Sequence, residues 1–165
     1  MATIDLPNNI LEALSTVLQQ LQQSLPEVKQ APDFSAIAFK WENGELKAIH
    51  QLKRIELNDL KGIERQKEKV LQNTEQFLNG LPANDVLLTG SRGTGKSSIV
   101  RALLTEYAEQ GLRLIEIERD DLSELPEIQK LIAERPEKFI VYCDDLAFNA
   151  EDENYRSLKS VLDGS

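Results

Sequence analysis

The stretch "VLLTGSRGTGKSSIV", Val86 to Val100, decides how the rest of this chain is read. It holds the pattern G-x-x-x-x-G-K-[ST] as Gly90, then Ser91, Arg92, Gly93 and Thr94, then Gly95, Lys96 and Ser97. An apolar run, "DVLLTG", comes before it, and a helix-forming run, "GKSSIVRALLTEYAEQG", comes after it. The pattern therefore stands where a strand is expected to give way to a helix, the setting its chemistry needs. The glycines let the backbone turn tightly and bring its N–H groups to phosphate oxygens. The positive end of the following helix favours an anion at the same point. Lys96 is suited to reach β- and γ-phosphates, and the Ser97 hydroxyl to ligate Mg²⁺. Arg92 fills a free position of the pattern and Ser98 lies one residue past it. The phosphate-binding set is thus Gly90, Ser91, Arg92, Gly93, Thr94, Gly95, Lys96, Ser97 and Ser98.

A bound magnesium nucleotide calls for an acidic residue opposite the loop. "FIVYCDD" offers one, with an apolar strand from Phe139 to Cys143 ending in Asp144 and Asp145. Asp144 is the metal-side candidate, acting through water because Mg²⁺ keeps several of its waters. Asp145 is the candidate that polarises the attacking water, so Lys96 and Asp145 form the expected catalytic pair. Cys143 sits inside the strand and reads as core packing.

Outward from this centre the chain alternates. "LRLIEIER" reads as a strand, "LPEIQKLIAE" as a helix and "EDENYRSLKSVLDG" as a last helix. Such alternation predicts an α/β fold of P-loop NTPase type, a parallel sheet with helices on both faces. Upstream, "NDLKGIERQKEKVLQNTEQFLNG" predicts a turn at Gly62 and a helix stopped near Gly80. "AIAFKWENGELKAIH" predicts a β-hairpin turning at Asn43-Gly44. From Pro7 to Leu25, Ile10, Leu11, Leu14, Val17, Leu18, Leu21 and Leu25 recur at helical spacing. That helix is either a core element or a docking helix. The expected division is residues 1–52, a helix plus a hairpin, and residues 53–165, a nucleotide-binding core.

Bulk properties narrow the classes. With 41% hydrophobic and 28% charged residues, the 165-residue chain has the profile of a globular domain. Its net charge of -9 argues against nonspecific binding to a nucleic-acid backbone, which needs clustered cations. One cysteine and one histidine, Cys143 and His50, rule out an internal disulfide and a Cys/His zinc cluster, and fit a cytoplasmic setting. The sequence has no apolar run of spanning length, so no membrane role is expected.

Residues Gly90 to Ser97, "FIVYCDD" and "LKGIERQKEKVL" resemble the AAA+ ATPases, in which the first two correspond to the Walker A and Walker B motifs. The resemblance implies that Gly62 and Ile63 touch the nucleotide base, that the cofactors are ATP and Mg²⁺, and that the reaction is ATP hydrolysis in a homo-oligomer coupled to a protein partner. "DLKGIERQKEKVLQNTEQFLNGLPANDVLLTGSRGTGKSSIV" with "VYCDDLAF" looks most like a bacterial group of AAA+-type proteins of unassigned function, from about Phe34 onward. Two departures stand out. The family usually has Glu where this chain has Asp145. The sensor strand, arginine finger, fifth strand and helical lid of the family are also missing, which makes this an incomplete AAA+ core and predicts the N-terminal part of a longer protein. The residues present are then expected to expose unpaired strand edges and to be unstable or to self-associate. Two other functions remain open: a nucleotide-dependent interaction or scaffold protein with little or no hydrolysis, and a small P-loop kinase.

Overall fold

Alternating apolar side chains build a four-stranded sheet in a computed structural model that describes residues 8–24 and 31–146. β1 (Ala38–Glu42) and β2 (Glu45–Ala48) form the predicted antiparallel hairpin, with Phe39 opposite Ala48 and Trp41 opposite Leu46. Asn43 and Gly44 take φ of 54° and 72°, the two positive values that a two-residue hairpin turn requires. β3 (Leu112–Ile117) runs parallel to β1, and β4 (Lys138–Cys143) runs parallel to β3. The order across the sheet is β2-β1-β3-β4, so the hairpin is continuous with the parallel strands.

Successive strand residues point to opposite faces, and each face meets different helices. On one side Phe39, Trp41, Leu46, Ile115 and Ile117 pack with Leu122 and with Leu125 and Ile128 of α4 (Leu125–Ile132). On the other, Ala38, Leu112 and Leu114 pack with Val70 of α2 (Glu64–Leu78) and with Ile99, Val100, Leu103, Leu104 and Tyr107 of α3 (Lys96–Tyr107). The result is an α/β fold with helices on both faces of a mostly parallel sheet, as predicted.

The helix boundaries follow local chemistry. Just past α2, the Gly80 N–H donates to the Phe77 carbonyl, and the φ of 69° at Gly80 turns the Leu81 N–H back to Gln76. This paired closure satisfies carbonyls that a helix end would otherwise strand. α3 starts directly after the glycine-rich loop, and Gly111, at φ 94°, turns the chain from its end into β3.

One expected strand is not formed. Residues 85–90 belong to no ladder, and Val86 and Leu87 are 49% and 75% exposed. A strand exists only against a neighbour, and among the described residues none pairs with this segment or with the outer edge of β4. Leu88 anchors it, packing against the α3 face of the core.

The chain divides into two compact units, residues 1–31 and 32–165. The first contains α1 (Asn8–Ser24), on which Ile10, Leu14, Val17 and Leu18 recur at helical spacing. The last helix expected from the sequence lies outside the described residues. No helix among the described residues is long and apolar enough to cross a membrane.

Candidate functional site

The site forms where the loop at Gly90–Gly95, the start of α3 and the carboxyl end of β4 meet. Gly93 and Gly95 hold φ of 82° and 89°, in the left-handed region where a Cβ is unfavourable. Gly95 is the residue that caps α3, and the N–H groups of Lys96 and Ser97 find no carbonyl partner among the described residues. A helix start leaves such donors free for an anion. The loop is braced by the Thr94 hydroxyl, which donates to the Ser91 carbonyl at 2.8 Å. A Cβ added at Gly90 would lie 3.0 Å from that same Thr94 oxygen, so a side chain there would press on the hydroxyl that braces the loop.

Lys96 arches back over the loop. Its ammonium donates to the carbonyls of Gly90 at 2.9 Å and Ser91 at 3.0 Å. The cation thus rests on two carbonyl oxygens of the glycine-rich loop. One residue on, the Ser97 hydroxyl donates to Asp144 Oδ2 at 2.8 Å, joining positions 47 residues apart in sequence. The other Asp144 oxygen, Oδ1, accepts the Asp145 N–H at 3.0 Å. Ser97's hydroxyl is the main reason the Asp144 carboxyl sits below its ordinary pKa; burial opposes this, and Asp145's N–H, Tyr142 and Lys96 add to it. Asp144 is therefore an anion at neutral pH. Asp145 occupies the left-handed region at φ 52°, uncommon for a residue with a side chain. Burial pushes the Cys143 thiol up to about 11, so it is no nucleophile near neutrality.

A hydroxyl and one ionised carboxylate in contact make a donor set that suits Mg²⁺, which completes its shell with waters and phosphate oxygens. Among the described residues no group of three or more His, Cys, Asp or Glu side chains could hold a metal, so an all-protein cage is not built. Of the upstream residues named from the sequence, Ile63 reaches the loop. Ile63 Cδ1 stands 3.6 Å from where a Cβ on Gly95 would be, which brings the start of α2 to the edge of the cradle. Gly62, at φ 77°, donates its N–H to the Glu64 carboxylate at 3.0 Å. Ser91, Arg92, Gly93 and Thr94 are exposed along the loop, and Ser98 is half-buried in the first turn of α3.

Three polar residues not singled out in the sequence also border the site. Tyr142 and Asp144 alternate onto the α3 face of β4, and Glu116 lies opposite Tyr142 in the β3–β4 register. Arg101, one helical turn beyond Ser97 on α3, approaches Glu116 to 3.5 Å. Burial, first, and the Asp144 carboxylate push the Tyr142 phenol up to about 12, while the neighbouring Ser97 hydroxyl pulls the other way. Alternation could have placed Tyr142 beside Asp144, but the Glu116–Tyr142 pairing depends on strand register.

A short segment of the chain is 36% identical over 52 residues to the replication factor C large subunit of Methanococcus maripaludis, covering 32% of this chain and 11% of that protein. The chain thus matches only about a tenth of that relative's length. The model of the family described as "Protein of unknown function (DUF815)" matches residues 34–165, from just before the hairpin through the loop and the acidic strand end. The chain belongs to that family.

Proposed function

We propose that this chain binds Mg²⁺ and ATP between residues 90–98 and the end of β4, and that it hydrolyses the nucleotide to move a protein partner. One observation supports this above the others: the Ser97 hydroxyl meets the Asp144 carboxylate at 2.8 Å beside a lysine folded over a glycine cradle. Lys96 leaves its loop carbonyls for the β- and γ-phosphates. Loop and helix N–H groups hold the remaining phosphate oxygens. Ser97 directly, and Asp144 through water, would hold Mg²⁺, which neutralises charge on the phosphate chain. Asp145 orients the attacking water, and Gly62 and Ile63 border the base. The likeness to AAA+ ATPases further supports a homo-oligomer in which a neighbour contributes an arginine, working in the cytoplasm.

Calorimetric titration with ATP and Mg²⁺ tests the site. Lys96→Ala is expected to weaken binding by about 10- to 100-fold, the worth of a hydrogen bond to a charged group. Unchanged affinity removes the assignment.

A second reading is favoured by one feature, the aspartate at position 145. Its side chain is a methylene shorter than glutamate and its backbone sits at φ 52°. A nucleotide-dependent interaction protein would bind ATP and keep it. Single-turnover measurement separates the two, since an enzyme converts bound ATP to ADP and a scaffold does not.

A further inference from the structure

Among the described residues three buried side-chain polar atoms lack a hydrogen-bond partner: Arg113 Nε, Glu116 Oε1 and Tyr142 Oη. Two of the three, Glu116 and Tyr142, face each other across the β3–β4 ladder next to the Ser97–Asp144 pair. Buried polar atoms are nearly always paired, so two adjacent orphans at a site call for an explanation. Glu116 has a cation within 3.5 Å, Arg101, whereas the Tyr142 hydroxyl stands beside Ser97 and Asp144 without an aligned bond to either. Asp144 has lone pairs to spare: Oδ2 takes Ser97 and Oδ1 takes the Asp145 N–H, and a carboxylate accepts about four hydrogen bonds.

We propose that Tyr142 is a positioning residue for the metal-side carboxylate. Its hydroxyl donates to Asp144 when that side chain turns to serve a bound Mg²⁺, and Arg101 keeps Glu116 from taking the same proton. The proposal rests on the Mg²⁺–ATP reading above. Its physical basis is that a ligating carboxylate is held in orientation by donors behind it, and loss of such a donor lowers metal affinity about 10- to 100-fold. A tyrosine present only for packing would behave differently. Replacing it with phenylalanine would keep the ring, remove an orphan donor and leave the site unaffected.

The test is ATP binding, measured by calorimetry at a series of Mg²⁺ concentrations, on the wild-type chain, Tyr142→Phe and Arg101→Gln. For Tyr142→Phe the Mg²⁺ concentration giving half-maximal ATP binding is expected to rise about 10-fold or more. Affinity for ATP without divalent cation is expected to be unchanged, and the thermal unfolding midpoint unchanged or higher. For Arg101→Gln the Mg²⁺ requirement is also expected to rise, because Glu116 then competes for the phenol proton. Loss of a nearby cation would by itself lower that requirement, so a fall overturns the proposal even if Tyr142→Phe does not fold. An unshifted Mg²⁺ dependence in folded Tyr142→Phe overturns it as well, while leaving the nucleotide site standing. A wild-type chain that binds no ATP with Mg²⁺ overturns both.

Discussion

Lys96, Ser97 and Asp144 are the side chains on which the proposed site rests, and residue-scale predictions follow from their neighbours. Gly95 is needed for its backbone, not for space: at φ 89° its Cβ would meet only Ile63 at an ordinary 3.6 Å. Gly95→Ala is therefore expected to lower stability by about 1–2 kcal/mol, the price of a left-handed residue with a side chain. Urea unfolding checks this. Asp145→Asn is expected to reduce ATP turnover by about 100-fold or more, the scale of a lost proton acceptor, with ATP affinity nearly unchanged. Steady-state hydrolysis at saturating ATP measures it; normal turnover removes Asp145 from catalysis. The tyrosines predict an alkaline limit. Burial, then Glu75, holds the Tyr107 phenol up near 12, and burial, then Asp144, does the same for Tyr142. A raised folded pKa contributes stability that is complete below the unfolded value near 10 and is lost as pH rises through about 12. Stability is thus expected to fall between pH 10 and 12, and less steeply in Tyr107→Phe. A series of urea curves across that window reads the slope.

At the scale of elements, the hairpin is structural to the sheet that holds the site. Trp41 is 1% exposed, packs in the α4-side core, and donates its indole N–H to the Glu124 carboxylate. β1 in turn pairs with β3, and β3 with β4, whose end presents Asp144. Trp41→Ala is expected to destabilise by about 3–5 kcal/mol through the cavity it leaves. Circular dichroism during urea unfolding would measure this, and a loss below about 1 kcal/mol would mean the hairpin is dispensable. Much at this scale was legible in advance. Asn43-Gly44 announced its turn, Gly80 and Gly111 their helix ends, and the glycine loop its helix, because each depends on the dihedral freedom of one or two adjacent residues. The strand at residues 85–90 was not decided that way. Its apolar run fits a strand, yet a strand needs a neighbour, and no local sequence supplies one.

For the whole molecule that unmade ladder has consequences. Val86 and Leu87 are open to solvent, Val141 on β4 is 36% exposed, and no described strand covers the outer edge of β4. Unpaired edges and exposed aliphatic side chains recruit other strands. The 165-residue chain is therefore expected to associate with a concentration-dependent sedimentation coefficient, and Leu87→Glu to shift it toward monomer. A monomer at all concentrations would show that the edge is already protected. The sequence by itself determined the glycine-rich loop that opens a helix, the α/β alternation and the acidic strand end, since each rests on residue type and short-range spacing. Only the tertiary structure decided that Ser97 meets Asp144, that the hairpin extends the parallel sheet, and that Glu116 Oε1 and Tyr142 Oη stand near each other without a hydrogen bond among the described residues. These are set by strand order and register, where hydrogen-bond ladders and burial across distant segments choose the partners that neighbouring residues cannot.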